Sequence, residues 1–162
     1  MTKILFVCLG NICRSPSAEA VMKSVIKREG MQDEVEVDSA GILAWHSGEP
    51  ADRRMQSHAA ERGYKLTSIS RQIKPADFEK FDVIIGMDYE NIRDLRSLDT
   101  ENKYSNKLHM MTGFCKSIPA DTVPDPYYGG ATGFENVLDI LEDACEGIMD
   151  RLKSQKKEKL AS

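Results

Sequence analysis

Cys8 and Arg14 stand five residues apart in the stretch Cys8-Leu9-Gly10-Asn11-Ile12-Cys13-Arg14-Ser15. These residue types at this spacing could hold a tetrahedral dianion above a thiol. A cysteine attacks as thiolate, and a helix N-terminus beside Arg14 would lower its pKa. Arg14 offers a planar fork that matches two phosphoryl oxygens and keeps its charge. Gly10 lets the backbone approach a ligand, and Asn11 tolerates a left-handed turn. Ser15 could donate its hydroxyl to the sulfur. Far along the chain, Asp125 lies between Pro124 and Pro126, and rigid flanks would aim its carboxyl as a proton donor. Asp-Pro in a loop is also an ordinary turn. Two other chemistries fit less well. A nucleotide-binding phosphate loop needs Gly-Lys-Ser/Thr, which is absent here. A zinc site would want a second cysteine pair after Cys8 and Cys13, and none follows.

The elements that must position these groups follow from periodicity. Ile4-Leu5-Phe6-Val7 is a short apolar run, a buried strand delivering Cys8 at its carboxyl end. Ser15-Pro16 is an N-cap followed by proline at the first helical position, and Ala18, Val21, Met22, Val25 and Ile26 continue at helical spacing to Gly30. A second strand is expected over Glu34 to Ser39, so strand, helix and strand form a right-handed parallel crossover. Ala40 to Pro50 is a loop holding Trp45, the single tryptophan, and His46. Trp45 either packs over the core edge or walls a cleft. A helix over Ala51 to Arg62, an extended link over Leu66 to Ile73 and a short turn of helix over Pro75 to Lys80 come next.

Phe81 to Met87 reads as a central strand, and Asp88 as the N-cap of the helix after it rather than a catalytic acid. A fourth strand is expected over Lys107 to Met111. A proline- and glycine-rich loop then carries Asp125, Tyr127 and Tyr128, and Thr132 and Glu135 have the pattern of a capping box. The last helix should fray from Lys153, which leaves a domain over residues 1–153 and a basic tail over 154–162. The fold class is α/β: one domain, a four-stranded parallel sheet, doubly wound in three layers.

Composition narrows the classes further. With 162 residues, one domain can bury a real core. A formal charge of -4 argues against general nucleic-acid binding. No apolar run reaches transmembrane length, and a cytoplasmic protein with reduced thiols at Cys8, Cys13, Cys115 and Cys145 is the default expectation. Oligomeric state is left open.

Taken together, Val7 to Pro16 and Asp125-Pro126-Tyr127-Tyr128 resemble the low-molecular-weight protein tyrosine phosphatases. Asp38-Ser39-Ala40-Gly41, Trp45-His46 and Phe81 to Asp88 extend the resemblance over nearly the whole chain. It implies hydrolysis of phosphotyrosine in proteins through a phosphocysteine at Cys8, without metal or organic cofactor. Arg14 and the loop from Leu9 through Gly10, Asn11, Ile12 and Cys13 to Ser15 would hold the phosphoryl oxygens. Asp125 would act as general acid and then base. Asn11, Ser15 and Ser39 would support the loop, and Trp45, Tyr127 and Tyr128 would form an aromatic rim. The resemblance also implies a reversible Cys8–Cys13 disulfide that protects the nucleophile. Several relatives carry a supporting histidine where Thr67 to Ser70 stands, so a serine near Ser68 is expected in its place.

Two enzymes of the same fold are rivals. Arsenate reductases need further cysteines after the third strand, where Asp88 to Phe114 has none. Phosphoarginine phosphatases resemble this chain with threonine in place of Ile12. A non-catalytic phosphate-binding module would lack the nucleophile or the acid, whereas Cys8, Arg14 and Asp125 are all present.

Overall fold

The computed structural model describes residues 1–127 and 129–161. Four parallel strands, β1 (Thr2–Cys8), β2 (Val35–Gly41), β3 (Val83–Gly86) and β4 (Leu108–Met110), lie in the order β2-β1-β3-β4. β1 reads as an unbroken apolar run because both of its faces are covered. Ile4, Phe6 and Cys8 point into one layer, with Val21, Met22, Val25 and Leu141. Those residues belong to α1 (Arg14–Arg28) and α5 (Ala131–Ala161). Leu5 and Val7 point the other way, onto Phe78, Phe81, Ile92 and Leu95. That layer comes from α3 (Pro75–Lys80), α4 (Tyr89–Leu98) and the chain between α3 and β3. The expected three-layer α/β fold is therefore present.

A smaller cluster joins Ile12 and Cys13 to Met55 and Ala59 of α2 (Arg53–Glu61) and to Phe134 and Leu138 of α5. It seats the loop after β1 on two helices. Strand order reverses between β1 and its two neighbours, and the crevice beyond the strands' carboxyl ends is where such sheets bind ligands.

Three expectations need correcting. α1 begins at Arg14, one residue before the expected cap, and Cys13 occupies the N-cap without a side-chain bond. The Ser15 hydroxyl is free to face the thiol instead. Thr132 lies inside the first turn of α5 rather than capping it. Glu135 turns outward to His58 at 2.5 Å and Arg62 at 2.8 Å, so no capping box closes there. The tail from 154 is not frayed through its described length, since α5 runs on to Ala161. Its lysine-rich turns, with Gln155, Glu158, Leu160 and Ala161, are good helix formers. Lys153 pairs with Glu29, and Lys156 meets Glu34 at 2.8 Å.

Candidate active site

Beyond Cys8 the chain curls rather than continuing as strand. Asn11 takes φ +59°, the left-handed turn its side chain tolerates. Gly41 makes the curl possible from the other side. A Cβ there would come within 3.0 Å of the Leu9 carbonyl and 3.1 Å of Asn11 Cβ. Ile42 N–H donates to Cys8 O at 3.0 Å, and Leu43 N–H to Leu9 O at 2.9 Å. In contrast, the N–H groups of Leu9, Gly10, Asn11, Ile12 and Cys13 donate to no acceptor among the described residues. Unsatisfied donors above a helix N-terminus make an anion cradle.

Cys8 forms the floor. Its sulfur is 3.0 Å from Ser15 Oγ. Asn11 Nδ2 donates to Ser15 Oγ at 2.8 Å and to Ser39 Oγ at 3.0 Å. Ser39 in turn donates to Glu19 Oε1 at 2.7 Å. These bonds fix directions. Ser39's proton goes to the carboxylate, its oxygen accepts from Asn11, and Asn11's second hydrogen goes to Ser15. The Ser15 proton is then left for the sulfur, with Ala40 O at 3.5 Å its weaker alternative. Asn11 Oδ1 accepts from Arg71 N–H at 3.0 Å, and Ser70 Oγ donates to Gly10 O at 2.9 Å. Ser70, within the segment Thr67 to Ser70, is thus the serine that reaches the loop.

Arg14 is 3% exposed. Its Nη1 donates to Asp88 Oδ2 at 2.7 Å and to Val123 O at 3.0 Å. Burial opposes its charge, but Cys8 and Asp88 outweigh that and hold its pKa above the ordinary arginine range. Asp88 caps α4 through Asn91 N–H at 2.8 Å, as expected, and also orients Arg14. Cys13 is buried beside Asp52. Burial first, then the charges of Asp52 and Cys8, push its thiol well above the usual range and keep it protonated.

The opposite wall is the loop after Val123. Val123 N–H donates to Met87 O at 2.9 Å, which anchors the loop at its base. Asp125 Oδ2 stands 3.8 Å from Arg14 Nη2, and Oδ1 accepts from Tyr127 N–H at 3.0 Å. A cleft of about 220 Å³ opens between the two walls. It is lined by Cys8, Leu9, Gly10, Ile12, Cys13, Arg14, Trp45, His46, Asp125 and Tyr127. Trp45 is 75% exposed, so it walls the cleft and does not pack on the core edge. Asn11, Ser15 and Ser39 lie behind the loop, as support rather than lining. Tyr128 falls outside the described residues.

Glu19, Ser70 and Arg71 belong to the same network and carried no signal beyond their place in a helix or an extended link. The arrangement can bind a tetrahedral oxyanion, present a thiol in line with it and hold a carboxyl on the far side. A cluster of His58, Glu61 and Glu135 also has ligand-like spacing. Arg62 already occupies Glu135 there at 2.8 Å.

Residues 3–158 match the family described as low molecular weight phosphotyrosine protein phosphatase. A low molecular weight phosphotyrosine protein phosphatase of Drosophila melanogaster is 43% identical over 91% of this chain and 94% of its own length. A protein tyrosine phosphatase structure from Entamoeba histolytica superposes with a TM-score of 0.91 at 46% identity, covering 96% of this chain and 99% of that one. A Drosophila arginine phosphatase structure superposes with a TM-score of 0.87 at 30% identity, covering 94% and 98%.

Proposed function

The chain belongs to the low molecular weight phosphotyrosine protein phosphatase family, and from that premise we propose how it removes phosphate from phosphotyrosine in proteins. The Cys8 thiolate attacks phosphorus as the phenolic oxygen departs. The S–P bond forms, the P–O bond breaks, and Asp125 gives its proton to the leaving oxygen. The equatorial oxygens lie among the unsatisfied N–H groups of the loop and the Arg14 fork, whose charge they need most in the transition state. Asp125, now a carboxylate, takes a proton from a water that attacks the phosphocysteine. Phosphate leaves and the thiolate returns. Ser15 serves the sulfur in both steps by donating to it while it bears charge.

The observation that carries this reading is Cys8 Sγ at 3.0 Å from Ser15 Oγ, beneath backbone donors that have no acceptor among the described residues. Trp45 and Tyr127 supply the aromatic rim for the phenyl ring. Ile12 beside them is apolar, which suits an aryl group better than a guanidinium and favours phosphotyrosine over phosphoarginine. A peroxide that oxidised Cys8 to a sulfenic acid would itself be reduced, and Cys13 would then give up its proton and attack that sulfur, forming a disulfide as the sulfenic hydroxyl leaves as water. The site would operate in a reducing cytoplasm.

The test is hydrolysis of p-nitrophenyl phosphate and of phosphotyrosine and phosphoarginine peptides, in the presence of a metal chelator. Turnover of the aryl and phosphotyrosyl substrates, lost in Cys8→Ser, is expected. Turnover that survives in Cys8→Ser, or a preference for phosphoarginine, would overturn it.

A further inference from the structure

Asp125 is exposed between the buried Val123 and Pro126, and its carboxyl meets Tyr127 N–H and, at 3.8 Å, Arg14 Nη2. Tyr127 N–H fixes one carboxyl oxygen at 3.0 Å, so the direction of the acid depends on where Tyr127 is held. That residue is gripped from α2. Arg54 Nη2 donates to Tyr127 O at 3.0 Å, and its guanidinium lies over the Tyr127 ring at 5.4 Å. The same guanidinium lies over the ring of Phe134, a core residue at the start of α5, at 5.0 Å. Asp52, the α2 N-cap, accepts from Arg54 Nη2 at 3.3 Å and Nε at 3.4 Å. Asp52 N–H donates in turn to Ile12 O at 2.9 Å.

One planar cation therefore ties the loop below the substrate to the loop above it. We propose that Arg54 is a positioning residue, packed against both Phe134 and Tyr127, that aims the Asp125 carboxyl at the leaving-group oxygen. The inference rests on the reading of Asp125 as general acid. A lysine could keep the charge but not the fork and the two ring contacts together.

Leaving-group chemistry separates this role from a structural or substrate-binding one. Phenyl phosphate releases a phenoxide that needs a proton, whereas p-nitrophenolate leaves readily without one. In Arg54→Ala and in Arg54→Lys, kcat/KM for phenyl phosphate should fall by about tenfold, against less than about threefold for p-nitrophenyl phosphate. The melting temperature of each variant, followed in parallel, identifies general unfolding.

The same substitution made in Asp125→Ala should add no further loss on either substrate, because the group it positions is gone. Equal losses on both substrates, no loss on either, or full additivity with Asp125→Ala would overturn the proposal. The acid reading itself fails separately, if Asp125→Ala alone shows no greater loss on phenyl phosphate than on p-nitrophenyl phosphate.

Discussion

Cys8 and Asp125 face one cleft, yet Cys8 is 3% exposed and the Asp125 side chain 42%. The floor around Cys8 is fixed many times over. Ser15, Asn11, Ser39 and Glu19 form a chain that directs the Ser15 proton to the sulfur, with Ala40 O its weaker alternative, and Ser70 and Arg71 brace the loop from behind. The arm carrying Asp125 is anchored at Val123 and again at Tyr127, with Pro124 and Asp125 exposed between. The difference matches the tasks proposed for the two regions. A phosphoryl-binding loop works by preorganised dipoles, which only a rigid, buried network supplies. A proton donor that must admit a phenyl ring and later a water has to stay reachable.

The largest effect should come from the point where the two regions meet. Arg14→Lys keeps a charge but loses the fork, and Asp88 and Val123 lose a partner in a buried site. We expect kcat/KM for p-nitrophenyl phosphate to fall by about 100-fold or more. Retention of a third of the activity would mean that a point charge is enough.

The contrast between regions then sharpens in a pair of variants. Asp125→Ala should lower kcat/KM for phenyl phosphate by about 100-fold. Its thermal stability should stay within about 0.5 kcal/mol of wild type, as for other exposed positions. Ser39→Ala should do the reverse. It leaves Glu19 and Asn11 short of a buried partner, costing about 2 kcal/mol or about 4–8 °C in Tm, with about a tenfold loss of kcat. If both variants lost stability alike, the distinction between floor and arm would not hold.

Legibility in the sequence follows the same division. The floor's inner half was readable because Cys8 to Ser15 are consecutive and each residue type has a local reason to be there. Asp125 stood out through its flanking prolines, although nothing in the chain gave its distance from Arg14. Glu19 was hidden in an ordinary amphipathic helix, and Ser70 in a stretch with no periodicity. Asp88 read as a cap, which it is, but its second oxygen on Arg14 depends on how α4 meets α1 in space. Buried polar partners drawn from distant elements leave no local pattern. Helix ends misled in a related way. Ser15 and Thr132 both look like caps, and each was outcompeted by a tertiary partner for its neighbourhood: the thiol for Ser15, and His58 with Arg62 for Glu135.

A smaller effect concerns the hinge between the regions. Burial works against the Asp52 charge, but the Arg54 side chain and the N–H groups of Met55 and Arg54 outweigh it and hold the carboxyl below its ordinary range. A carboxyl depressed by folding adds stability above its unfolded pKa, and that stability is lost as pH falls through the folded value. Wild type should therefore lose that increment as pH drops below the ordinary carboxylate value of about 4 and on through the lower folded value. Asp52→Asn, which still caps α2, should show a flatter acid limb in Tm against pH. Parallel limbs would show that Asp52 contributes only a cap.

The central claim is that Cys8 carries the phosphoryl group while Asp125 serves the leaving oxygen and the water. Rapid quenching of Asp125→Ala during turnover of p-nitrophenyl phosphate, followed by peptide mass mapping, tests it most directly. p-Nitrophenolate departs without an acid, but hydrolysis lacks its base, so one phosphoryl group should accumulate on the Cys8 peptide after a burst of p-nitrophenolate. Phosphate on another residue, or a burst with no covalent species, would contradict the account.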